Sequence, residues 1–181
     1  MSLNVAGKSL PKATVVVGAG LIVALVGTFF PWRAASIPPG YGCTAPRQCA
    51  AETSAFNAGH SAFVGWQGWV FFIAVILGAS LLAIRTFAPQ VTASPMASTD
   101  APVYAVLAAV MLLMGVLVLL VGVGERTEYY ETAAGGVYTL GPGLGIFIAM
   151  VGAAAVGFGG FLMRGATHPA IQRASGPALA S

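Results

Sequence analysis

The residues in this chain best equipped for chemistry are two cysteines, a run of glutamates and two histidines. Cys43 and Cys49 lie in a Gly/Pro-rich stretch. A disulfide between them would close a seven-residue ring, worth about 2.4 kcal/mol in the chain-entropy relation. Redox-active pairs more often stand as Cys-x-x-Cys at a helix N-terminus, where the thiolate is stabilised. The wider spacing and the loop setting therefore point to a structural staple, with a thiol oxidoreductase as the alternative. Glu125, Glu128 and Glu131 recur every third residue, with Tyr129, Tyr130 and Tyr138 close by. On a helical extension these carboxylates would share a side and form a possible acidic site, able to hold a cation or to pair with Arg33 and Arg47. A solvated acidic loop is the simpler reading. Nothing resembles a calcium-binding loop, and no metal is expected.

The remaining chemistry is sparse. There is no Gly-rich phosphate loop, no zinc spacing and no Ser/His/Asp set that could meet at one depth. No cofactor is expected. An enzyme would have to be built from loop residues such as Glu52 and His60.

Composition explains this poverty. Of 181 residues, 57% are hydrophobic and 7% are charged, where a soluble domain carries about 25% charged residues. Eight basic and five acidic side chains cannot cover a water-exposed surface. The basic residues are also scattered singly, which excludes a nucleic-acid partner. The chain must lie in a lipid bilayer.

Four apolar stretches are long enough to cross it. They run over about 13–30, 62–84, 102–124 and 140–163, each near the length that a hydrocarbon core of ~30 Å requires. Pro31 and Trp32 stop the first; a retained span fits its length better than a signal peptide does. Arg85 closes the second, and Thr99-Asp100-Ala101-Pro102 reads as a helix start. Residues 1–12 read as a cytoplasmic tail, residues 86–100 as a linker, and residues 165–181 as a second cytoplasmic tail without regular structure. Trp32, Trp66 and Trp69 look like aromatic anchors at one water boundary.

Four spans place both termini on one side. That side carries Lys8, Lys12, Arg85, Arg164 and Arg173, against Arg33, Arg47 and Arg126 on the other. The bias predicts both termini in the cytoplasm and the cysteine loop outside, where a disulfide persists. His60 and His168 then fall on opposite faces of the membrane and cannot share a metal. No Asp, Glu, Lys, Arg or His lies inside a proposed span, whereas proton relays and ion-coupled pumps normally place ionisable groups there.

The fourth span carries Gly141, Gly145, Ala149, Ala153 and Gly157 at every fourth position. Small residues let membrane helices approach closely, so this predicts a flat packing face over the whole helix. It could serve within the bundle, or in self-association, or against a membrane-protein partner. A shorter run, Ala101, Ala105 and Ala109 in the third span, is its expected counterpart.

With these elements placed, the chain resembles a loose group of small four-span membrane proteins from high-GC Gram-positive (actinobacterial-type) bacteria. The shared features are Phe29-Phe30-Pro31-Trp32, Gly65-Trp66-Gln67-Gly68-Trp69 and the Gly/Ala-rich fourth span. The resemblance implies fold and plasma-membrane localisation.

The expectation is an all-α, left-handed four-helix membrane bundle, N-in/C-in, with a disulfide-stapled outer loop. Its expected role is that of a non-catalytic accessory or scaffold subunit of a larger membrane complex. An oligomeric transporter or channel component is the first alternative, and an outer-face membrane enzyme or thiol oxidoreductase the second.

Overall fold

The computed structural model describes residues 3–5, 8–36, 47, 50–51, 62–88, 100–125, 129–131 and 137–174. Cys43, Cys49 and Glu128 lie outside the described residues. Four helices dominate: α1 (Lys12–Phe29), α2 (Trp66–Phe87), α3 (Asp100–Glu125) and α4 (Leu144–Ala174). Each contains a segment long and apolar enough to cross a membrane. The chain is a multi-pass integral membrane protein.

Local chemistry sets the helix ends. Pro31 disfavours helical backbone at the residue before it, and Phe30 is extended, with φ −82° and ψ 158°. That ends α1. Gly65, also extended at φ −119° and ψ 153°, opens α2, and its carbonyl accepts from the Gly68 amide at 3.1 Å. Asp100 sits in the first turn of α3, where a carboxylate complements the helix dipole. Arg85 sits in the last turn of α2, where a cation does the same.

The helices form a closed ring of sequential neighbours. α1 packs most extensively on α4, then α4 on α3, α3 on α2 and α2 on α1. Phe71 and Val75 from α2, Tyr104 and Met111 from α3, Ile146 and Val156 from α4, and Val17 from α1 fill the centre. Thr28 is also buried, and its hydroxyl donates to the Leu25 carbonyl at 2.6 Å.

Strands depart from the all-α expectation. A short hairpin, β1 (Leu3–Val5) with β2 (Lys8–Leu10), occupies the N-terminal tail. β3 (Arg33–Ser36), β4 (Tyr129–Glu131) and β5 (Val137–Pro142) form an antiparallel sheet in the order β3-β5-β4. Ala34 lies opposite Gly141, and Tyr130 opposite Tyr138. The sheet ties the exit of α1 to the start of α4. Gly141 and Pro142 therefore belong to a strand, and α4 begins at Leu144 instead of residue 140. Val137-Tyr138-Thr139 favours extended backbone and pairs with β4 of the same loop, whereas residues 139–142 pair with β3 from the first loop, which local sequence reading does not see. At the other end α4 continues to Ala174, through much of the tail expected to lack structure.

Candidate functional sites at the two ends of the bundle

The seam between α1 and α4 positions both ends of the bundle. On α4, Gly145 meets the Phe30 carbonyl, Gly152 meets Ala24, and Gly159 meets Val17. On α1, a Cβ added at Gly27 would stand 2.5 Å from the Ala149 nitrogen, and one added at Gly20 would stand 2.8 Å from the Gly152 oxygen. At these points backbone touches backbone, and only glycine fits.

The stripe of small residues behaves differently from the straight face read in the sequence. Four residues advance a helix by about 400°, so an i+4 series drifts by about 40° at every step. Gly145 and Ala149 face α1, whereas Gly157 has drifted to face Ala108 of α3 at 3.2 Å from a built Cβ. The residues that follow α1 are Gly145, Ala149, Gly152, Val156 and Gly159. They average about 3.5 residues per turn, the spacing suited to left-handed packing. Gly141 makes no part of it: nothing lies within 4 Å of where its Cβ would be. The counterpart of α4 is α1, through Gly20, Ala24 and Gly27; of the α3 series, Ala101 is buried but Ala105 and Ala109 are exposed. Gly20-x-x-x-Ala24 carried the signal for α1 in the sequence.

At the loop end, Trp32 is a correction to the anchor reading. It is 3% exposed. Its indole Nε1–H donates to the Gly27 carbonyl at 3.0 Å, and its ring meets Phe71 edge-on at 5.3 Å. Burying an indole requires a partner for its N–H, and the carbonyl of Gly27, in the last turn of α1, supplies one. The backbone then completes the tie. Gly143 N–H donates to the Trp32 carbonyl at 2.8 Å and Gly145 N–H to the Pro31 carbonyl at 2.9 Å. Amides at a helix start lack intrahelical acceptors, so the end of α1 caps α4. Trp66 and Trp69 remain 62% and 51% exposed, and Trp69 joins Phe63 and Phe72 in an aromatic cluster.

Of the three glutamates, Glu125 and Glu131 fall among the described residues and Glu128 does not. Glu125 ends α3, and Glu131 lies on β4 opposite Val137. Among the described residues, no three His, Cys, Asp or Glu side chains gather in a metal-ligating group.

At the terminal end, Arg85 and Asp100 join α2 to α3. The guanidinium Nη2 donates to the Asp100 carboxylate at 2.7 Å, with the side chains 18% and 20% exposed. One turn deeper on α3, Tyr104 is 1% exposed, and its hydroxyl is buried without a hydrogen-bond partner. Its Cβ lies against α4 at Gly160, where an added Cβ would approach it to 3.1 Å. The sequence carried half of this signal: a base ending one helix and an acid starting the next, on the same side. That they meet is visible only in the fold. No protein family, no curated protein and no solved structure matches the chain.

Proposed function

We propose that the chain is a non-catalytic accessory or scaffold subunit of a larger complex in the plasma membrane, with both termini cytoplasmic. The observation that supports this most is that the bundle is finished within one chain. The small residues of α4 are already used against α1, and apolar side chains fill the centre. Among the described residues, the side chains that fill the centre are apolar and form no polar path. Such a unit offers a rigid body with a sheet-tied cap at one end and lipid-facing helices around it. A membrane-protein partner would therefore meet the outer surface of the bundle or the loop end. A Cys43–Cys49 disulfide would stiffen the loop that follows β3, on the oxidising side of the membrane.

Purification of the tagged native protein in mild detergent, sized on a native gel with mass spectrometry of what accompanies it, tests the proposal. A stoichiometric larger partner is expected; a protein that runs alone overturns it. Alkylation of intact cells tests the staple. Both cysteines are expected to resist a thiol reagent until a reductant is added, and immediate labelling would refute the disulfide.

A further inference from the structure

The Arg85–Asp100 corner has a second feature directly beneath it. Asp100, Val103 and Leu107 stand at i, i+3 and i+7 of α3 and share one stripe of that helix. Pro102, Val103, Val106 and Leu107 line an apolar depression of about 260 Å³. Leu107 also borders α2, since a Cβ on Gly78 would stand 3.5 Å from its Cδ1. The depression thus runs along the lipid side of α3, beside the α2–α3 seam, and begins within a turn of the ion pair. The pair lies in the last turn of α2 and the first turn of α3, at the ends of two spans. That is headgroup depth.

We propose that this corner binds one phospholipid whose headgroup carries a primary ammonium. A cation and an anion held side by side complement a zwitterionic head. The lipid phosphate sits beside the Arg85 guanidinium, which suits phosphate geometry. The lipid ammonium donates to the Asp100 carboxylate, which can accept more than the one bond from Arg85. One acyl chain lies in the depression. A choline head offers no N–H to the carboxylate, and a glycerol head offers no cation. Both bind less well.

The test uses native mass spectrometry of the delipidated full chain in detergent. Phosphatidylethanolamine, phosphatidylcholine and phosphatidylglycerol with identical acyl chains are added in equal amounts. The wild type is expected to retain one phosphatidylethanolamine over each competitor by about tenfold, the worth of one charge-assisted hydrogen bond. Val106→Trp fills the depression from an exposed position, and is expected to lose all three lipids while keeping its thermal midpoint. Asp100→Asn is expected to keep a lipid but lose the preference for ethanolamine over glycerol. Equal retention of the three lipids by the wild type overturns the proposal, as does a preference for phosphatidylglycerol. An unchanged pattern in Val106→Trp also overturns it, and that variant carries the test if Asp100→Asn fails to fold.

Discussion

Two glycines that look alike in the sequence differ completely in their surroundings. Gly141 and Gly145 are four residues apart in one series of small residues. A Cβ on Gly141 meets nothing within 4 Å, whereas one on Gly145 stands 2.5 Å from the Phe30 carbonyl oxygen and 2.9 Å from that of Gly27. Backbone cannot yield as a flexible side chain can. Gly145→Ala is therefore expected to cost about 1–3 kcal/mol, the usual range for overpacking, with Gly141→Ala near neutral. Thermal midpoints of both variants in one detergent check this, and equal effects would contradict it. Trp32 teaches the same lesson. Residue type and position beside Pro31 suggested a membrane-interface anchor, and the type is right for one. Its burial is decided by Phe71 on another helix and by the carbonyl of Gly27. Gly27 is local, five residues away, but Phe71 is not.

At the scale of elements, the four helices were legible because hydrophobic length alone defines a membrane span. Each expected span overlaps one observed helix, with the ends of the second and fourth displaced. The ends were legible where proline or charge set them, as at Pro31, Asp100 and Arg85. They were not legible at residues 139–142, where the strand pairs with β3 from the first loop. The pairing of α4 with α1 was only half legible. The small residues of α4 form an exact i+4 series in the sequence, while the seam follows alternating steps of three and four. Between α2 and α3 the ion pair gives a quantitative test. A double-mutant cycle with Arg85→Gln and Asp100→Asn is expected to show a coupling of about 1 kcal/mol, in the range for a partly exposed contact pair. Additive effects of the two substitutions would mean that the pair does not hold the helices together.

For the molecule as a whole, the apolar exterior gives no hydrophobic incentive for the helices to leave lipid and associate. Close packing has to supply it. The structure places that packing in the α1–α4 seam and reinforces it at one end with the Trp32 hydrogen bonds and the sheet. The chain thereby closes on itself before any partner is considered, and the proposed accessory role rests on that closure. Of the candidate chemistry in the sequence, Glu125 and Glu131 lie at the end of α3 and on β4. The ion pair and the apolar depression, which only the fold brings together, lie at the other end of α3, beside Asp100.

The most direct test of this closure is Gly152→Leu. Gly152 lies mid-seam, where any added side chain would run into the backbone of α1 at Ala24. The variant should be compared with the wild type by thermal midpoint and by native gel in the same mild detergent. If α1 fills the small-residue face of α4 within the chain, the substitution lowers the midpoint of the isolated protein sharply or prevents its folding. If the variant keeps the wild-type midpoint as a lone chain and loses only a partner or a second copy from the native gel, the face belongs to an intermolecular contact and the closed bundle is wrong.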